Sequence, residues 1–273
     1  MSADVTHWDI IGILKAPSAD GRKPAIVILN QPIAHSALFQ NIFTSCSPRV
    51  AADGGGTRLF QLAQQVRKDG VSPYDALNFI VGDMDSISDQ ALQYFTIQTP
   101  RPAQVVRQPD QGSNSTDFGK AIRFIRDVDM NALPDVIAVG GCGGRVDQGV
   151  AQLHHLYMFH NPLSRIFLLS DESLTFLLPA GKHEICVRDG DAEVFAKWVG
   201  ILPMNGVAHI TTKGLEWDVT DWETSFPGAM STSNHVLPET TSVHVETDNG
   251  VLFTIALKST IASNTPCTSG SNN

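Results

Sequence analysis

Between residues 25 and 170 the chain alternates short apolar runs with stretches whose apolar positions fall three or four residues apart. Ala25-Ile26-Val27-Ile28-Leu29 reads as a buried strand and His35 to Thr44 as a helix. Arg49-Val50-Ala51-Ala52 is again strand-like and runs through a glycine turn into a helix over 58–66. Phe79-Ile80-Val81 gives another strand, Ser88 caps a helix running to Phe95, and Val105-Val106 marks a short strand. Thr116 offers an N-cap hydroxyl for a helix over 117–126, where Phe118, Ile122 and Ile125 fall at helical spacing. Val136 to Val139 forms a strand, followed by a glycine loop, a helix with Val146, Val150, Leu153 and Tyr157 on one face, and the strand Ile166 to Leu169. Alternation of this kind predicts an α/β N-terminal domain with a mostly parallel sheet covered on both faces.

After about Asp171 the helical period disappears. Short β-type segments follow at 174–178, 183–187, 192–196, 207–211, 242–246 and 252–257, separated by Gly, Pro, Asn and Asp turns. They predict an all-β sandwich or barrel as the C-terminal domain. The expected organisation is an N-terminal extension at 1–24, the α/β domain at 25–170, the β domain at 171–258 and a disordered tail at 259–273, rich in Ser, Thr and Asn.

Charge narrows the partners. The 273 residues carry 28 acidic against 19 basic side chains, a net charge of -9, which disfavours a grip on nucleic acid. A nucleotide remains compatible, because a divalent cation screens carboxylates from phosphates. Cys46, Cys142, Cys186 and Cys267 are far apart and include no C-x-x-C pair, so they read as free thiols. No apolar run is long enough for a signal core or a membrane span. The expected setting is reducing and cytoplasmic.

In an α/β sheet, ligands gather where strands end, so the turns after the strands are the places to look for chemistry. In Ala52-Asp53-Gly54-Gly55-Gly56-Thr57-Arg58, the glycines allow close backbone approach and Arg58 is a forked donor for phosphate; a tight turn capped by Asp53 is the structural alternative. Asp83 and Asp85, at i and i+2 in Gly82-Asp83-Met84-Asp85, suit a shared Mg²⁺, although such pairs are also common in plain turns. Asp117 opens a helix, where it either favours the helix dipole or adds a third carboxylate on the same sheet edge. Gly140-Gly141-Cys142-Gly143-Gly144-Arg145 leads into a helix N-terminus and makes a backbone cradle for phosphate, the strongest single signal in the chain. It is neither a P-loop nor a dinucleotide fingerprint. His154 and His155 are adjacent, cannot form an i, i+4 metal pair, and read as surface or packing residues. In the β part, Trp217 is either core or a flat surface for a cationic heterocycle, and Ser231 to Asn234 suggests a turn with hydroxyl and amide groups.

Taken in order, the stretches 52–58, 82–87, 110–118, 140–148, Leu202-Pro203, Gly214-Leu215-x-Trp217 and 231–234 resemble the thiamine pyrophosphokinase family over roughly residues 25 to 258. Asn234 and His235 after the Ser-Thr-Ser run look like fungal members. The resemblance implies a catalytic α/β domain, a thiamine-binding β domain, ATP and thiamine as substrates, and a homodimer with active sites between subunits. It implies a Mg²⁺ group of Asp83, Asp85 and Asp117, with Asp53 nearby. The ATP site would draw on Asp53, Gly54, Gly55, Arg58, Gly141, Gly143, Gly144 and Arg145. Thiamine would be held by Gln111, Asp147, Trp217, Ser231 and Asn234. Gly56-Thr57 replaces the family's usual Ala-Asn, Gly112-Ser113-Asn114 lengthens the loop after Gln111, Lys213 stands for a common threonine, and Pro227 interrupts the usual Phe-Gly.

The implied reaction is attack of the thiamine hydroxyl on the β-phosphorus of ATP, with AMP leaving and Arg145 and the glycine N–H groups stabilising charge. Asp147 is the expected proton acceptor, worth roughly 10²–10⁴-fold. The alternatives are a metal-dependent phosphohydrolase with Asp83 as nucleophile, and a non-catalytic thiamine or nucleotide sensor.

Overall fold

The structure is a computed structural model that describes residues 4–15, 23–34, 36–108, 116–128, 133–189 and 194–258. The expected tail at 259–273 and the candidate Gln111 lie outside the described residues. The elements run β1 (Val5–Trp8), α1 (Ile10–Lys15), β2 (Ala25–Ile28), α2 (Ala37–Ser45), β3 (Arg49–Ala52), α3 (Gly55–Val66), β4 (Phe79–Gly82), α4 (Asp89–Gln93), β5 (Gln104–Arg107), α5 (Asp117–Val128), β6 (Val136–Val139), α6 (Val146–Met158) and β7 (Ile166–Leu169). Strands only follow: β8 (Ser173–Leu178), β9 (Gly181–Cys186), β10 (Phe195–Leu202), β11 (Ala208–Lys213), β12 (Trp222–Thr224), β13 (Ser231–His235), β14 (Ser242–Thr247) and β15 (Val251–Leu257).

A ten-stranded sheet has the order β13-β10-β15-β8-β7-β6-β2-β3-β4-β5, parallel from β7 to β5 and antiparallel from β7 to β13. The apolar strands β2, β6 and β7 are buried throughout and stand inside the sheet, whereas the more polar β5 takes its edge. Alternate residues of each strand point to opposite faces. Val27, Val50, Val81 and Ala138 meet Phe118, Ala121, Ile122 and Ile125 of α5, while Ile26, Ile28, Ala51, Ile80 and Ile137 meet α1, α2 and α3. Burying each large side chain contributes about 1.5–3 kcal/mol, which fixes α5 and the carboxylate at its start.

A second sheet, β1-β9-β14-β11-β12, faces the antiparallel half of the first. Val243 and Val245 of β14 alternate with exposed neighbours and pack with Ile185, Ile210, Phe176, Phe253 and Ile255. The result is an α/β N-terminal part followed by a β sandwich, with one sheet continuous through both. No helix among the described residues is long and apolar enough to cross a membrane.

Three elements depart from the sequence pattern. Val5–Trp8 is a strand paired in parallel with β9, fixed by buried Trp8, whose indole N–H donates to Nδ1 of His183 (3.1 Å). Ser231–His235 is an edge strand, not a turn; its Ser, Thr and Asn side chains carry no apolar alternation. On α6, Val146 and Val150 are exposed (82% and 52%), and the helix is buried through His155 and Leu156 near its C-terminal end.

Candidate active site

The chain steps from β2 to β3, β4 and β5 in one direction and then returns to place β6 on the other side of β2. The switch point of the sheet therefore lies between β2 and β6, and ligands of open α/β sheets gather beyond the carboxyl ends of the strands at such a point. Asn30 and Gln31 follow β2, and Gly140 to Gly144 follow β6. Gly144 has φ 68°, and a Cβ there would stand 2.8 Å from the Gln31 amide, so the loop closes tightly over that side chain. Arg145 occupies the N-cap of α6 without capping it through its own side chain, and the first-turn N–H groups of Asp147 and Gln148 face the Asp147 carboxylate, an anion at the helix start. Its guanidinium pairs with exposed Asp147 (3.0 and 2.5 Å), which raises the Arg145 pKa and lowers that of Asp147. One strand over, Gly54 and Gly55 open α3, and Arg58 Nε donates to Asn30 Oδ1 (2.9 Å).

The next two strand ends carry the carboxylates. Asp53 is fully buried after β3 and accepts the backbone N–H groups of Ile87 (2.9 Å) and Ser86 (3.3 Å). Asp83 follows β4. Asp117 begins α5, whose N-cap hydroxyl, Thr116, accepts from Gly119 N–H (3.1 Å) and meets Nε2 of buried His155 (2.8 Å). One oxygen from each of Asp53, Asp83 and Asp117 lies within 4.8 Å of the others. Buried Lys120, one turn along α5, reaches Asp83 Oδ2 (2.7 Å) and Asp117 Oδ1 (3.2 Å).

These positions set the electrostatics. Burial, with Asp117 nearby, pushes Asp53 up to about 6. Burial also raises Asp117, whereas the Lys120 ammonium holds Asp83 down at about 2. Three carboxylates this close repel one another and are relieved by a cation. An all-oxygen, acidic donor set fits a hard divalent ion.

Asp85, expected to share the ion with Asp83, stands outside this group. Met84 has φ 70°, which breaks the extended geometry that would aim i and i+2 the same way. The Asp85 side chain instead accepts from Ser86 Oγ (2.7 Å), and its N–H faces Asp83 Oδ1 (3.3 Å).

In the β sandwich, Trp217 rides on a braced turn. Asp218 accepts from Gly214 N–H (2.9 Å), Leu215 N–H (3.1 Å) and the Thr212 hydroxyl (2.9 Å). Asn234 ties to Trp217 reciprocally, accepting its N–H (3.2 Å) and donating to its carbonyl (2.9 Å). Trp217 is 55% exposed, and its ring centroid lies 5.0 Å from that of His235. Ser231 and Asn234 sit opposite Ile201 and Val199, and a bulge at Ser233 (φ 58°) brings them to one face despite their three-residue spacing.

Residues 39–168 match the family described as "Thiamin pyrophosphokinase, catalytic domain", and residues 182–252 match "Thiamin pyrophosphokinase, vitamin B1 binding domain". The chain belongs to the thiamine pyrophosphokinase family. It is 32% identical over 249 residues to "Thiamine pyrophosphokinase 3" of Oryza sativa subsp. japonica, covering 87% of this chain and 88% of that protein. Identity to "Thiamine pyrophosphokinase 1" of Arabidopsis thaliana is 31%, across 89% of this chain and 90% of the relative. With the Saccharomyces cerevisiae protein it is 23%, across 85% of each, so the fungal flavour of the Ser-Thr-Ser run does not extend to overall identity. The fold matches the Candida albicans thiamin pyrophosphokinase structure with a TM-score of 0.76 at 22% identity, covering 93% of each chain.

Within this thiamine pyrophosphokinase family member, the acidic group and glycine loop fall in the catalytic match, and Trp217, Ser231 and Asn234 in the vitamin B1 match. Sequence reasoning overlooked Lys120, Asn30 and Gln31. Lys120 was findable, three residues after Asp117 on the same helix face. Asn30 and Gln31 follow a strand, but nothing in their spacing marks them.

Proposed function

We propose that the chain transfers the diphosphoryl group of ATP to the primary hydroxyl of thiamine, giving thiamine diphosphate and AMP, with Mg²⁺ as the metal. The observation that carries this reading is the gathering of Asp53, Asp83 and Asp117 at the sheet edge that also bears the glycine loop leading into α6. In this reading residues 25–170 form the catalytic unit and 171–258 the thiamine-binding unit.

Asp53, Asp83 and Asp117 would hold the ion, with Asp85 beside them. When bound, Mg²⁺ neutralises phosphate charge and keeps the β-phosphorus open to attack. Gly141, Gly143, Gly144 and the first N–H groups of α6 receive phosphate oxygens, and Arg58 and Arg145 add forked donors. Phosphate competes with Asp147 for the Arg145 guanidinium. Release from that pair turns the Asp147 carboxylate into a better base for the thiamine hydroxyl proton. The bond formed is hydroxyl oxygen to β-phosphorus; the bond broken joins that phosphorus to the α-phosphate oxygen, which leaves with AMP.

Trp217 offers its exposed face to the cationic thiazolium, and Ser231 and Asn234 orient the other end of the substrate. Gln111 belongs to this set as a candidate by family resemblance. The reading includes a homodimer with sites between subunits, supported by the exposed apolar side chains Val146, Val150 and Trp217 beside the site residues. It also includes a reducing, cytoplasmic setting, in keeping with free Cys46, Cys142 and Cys186.

The test is incubation with ATP and Mg²⁺, with and without thiamine, followed by product chromatography. Thiamine diphosphate and AMP in equal amounts support the reading. AMP or ADP formed at the same rate without thiamine favours a phosphohydrolase and defeats it.

A further inference from the structure

Lys120 is 1% exposed, yet its ammonium is spent on the carboxylates that make up the candidate metal group. A buried charge is costly unless paired, and so are three buried or half-buried carboxylates facing one another. Each offsets the other. Lys120 reaches Oδ2 of Asp83 and Oδ1 of Asp117, bridging the end of β4 and the start of α5. These two segments are otherwise separate in sequence, and their carboxylates would repel.

We propose that Lys120 is a resident counter-cation: it keeps the three-carboxylate group assembled before a divalent ion arrives and opposes that ion's entry with its own charge. The inference rests on the metal reading of Asp53, Asp83 and Asp117 but not on the identity of either substrate. Lys120 is thereby a positioning residue that acts through Asp83 and Asp117. Its stem packs within the fold, so a purely structural role is the rival to exclude.

The two roles differ in how they respond to metal. If Lys120 only fills space, its removal destabilises the protein equally with or without Mg²⁺. If it is a counter-cation, the metal-free protein suffers most and the divalent ion takes over its work. By linkage, a loss that shrinks as Mg²⁺ is added means that Mg²⁺ binds the variant more tightly than wild type.

The experiment compares the full-length wild type, Lys120→Met and Lys120→Arg by thermal denaturation in EDTA and across a Mg²⁺ titration, with Mg²⁺ affinity from calorimetry. The expected result is a melting-temperature deficit of Lys120→Met that is large in EDTA and narrows with Mg²⁺, with Mg²⁺ affinity roughly tenfold or more above wild type. Lys120→Arg, which keeps the charge, should retain the wild-type metal response. A deficit of equal size in EDTA and Mg²⁺ with unchanged affinity overturns the proposal while leaving the metal reading intact. No Mg²⁺ response in wild type defeats both. Should Lys120→Met fold in neither condition, ¹⁵N signals of the lysine ammonium groups in wild type decide. The Lys120 signal, assigned by its loss in Lys120→Arg, shifts on Mg²⁺ addition if the proposal holds and stays fixed if it does not.

Discussion

Gly82 stands against Asp53: a Cβ at position 82 would lie 2.7 Å from Asp53 Cβ and 3.2 Å from Asp117 Oδ1. The missing side chain is what lets carboxylates from two different elements approach the end of β4. Gly82→Ala should therefore push Asp53 and Asp117 apart while leaving the sheet in place. We expect diphosphoryl transfer to fall by about 10²-fold, the scale of an ångström-sized misplacement, with circular dichroism unchanged. Wild-type turnover in that variant would count against a tightly assembled group.

The carboxylates should not be equivalent. Asp53→Asn, Asp83→Asn and Asp117→Asn each remove a charge from the gathered group, and each should lower kcat/KM by about 10²-fold or more. Asp85→Asn should cost far less, because Asp85 stands outside the group and its N–H still faces Asp83. Steady-state kinetics at varied Mg²⁺ checks this ranking. A loss for Asp85→Asn as large as that for Asp53→Asn would reverse it.

Much of this arrangement was legible from sequence. The apolar runs from Ala25 to Leu169 announced the parallel sheet, and the glycine loop before Val146 announced the turn that leads from β6 into α6. Asp53 was legible only as a neighbour, since its central place depends on β3 and β4 pairing side by side. The i, i+2 rule groups the Asp85 carboxylate with that of Asp83, and the positive φ at Met84 that sets it outside the three-aspartate group leaves no mark in the residue pattern. Val5–Trp8 was missed because its pairing partner lies more than 170 residues away, beyond the reach of local periodicity. β13 was missed because its bulge at Ser233 breaks the alternation that marks a strand.

Trp217 should matter to one substrate only. Trp217→Ala removes an exposed ring held by the Asp218 turn and by Asn234. Stacking of an aromatic ring on a desolvated cation is worth about 2 kcal/mol, so under the proposed role the thiamine KM should rise roughly 30-fold with the ATP KM unchanged. Asn234→Ala, which frees the Trp217 backbone, should weaken thiamine in the same direction. Equal losses for both substrates would deny the ring a stacking role.

Acid should destabilise the protein through His183. Its Nδ1 accepts from Trp8 and its Nε2 donates to the Pro179 carbonyl (2.8 Å), so the buried ring is neutral, and burial holds its pKa below the ordinary 6.5. Below pH 6.5 the unfolded chain binds a proton that the folded chain refuses. The contribution is therefore fully present above pH 6.5 and is lost as pH falls below it. Urea denaturation at pH 7.5 and 5.5 reads this out. The acid-induced loss of stability should be smaller in His183→Gln than in wild type, and equal losses would assign the effect elsewhere.

Asp53, Asp83 and Asp117 are expected to share one divalent ion in the path of the nucleotide. The most direct measurement is anomalous scattering from crystals grown with Mn²⁺ and a non-hydrolysable ATP analogue. The expected peak lies among the oxygens of those three aspartates and touches the analogue's phosphates. A peak bound elsewhere, with the three carboxylates still held by Lys120 and backbone N–H groups, would contradict the account.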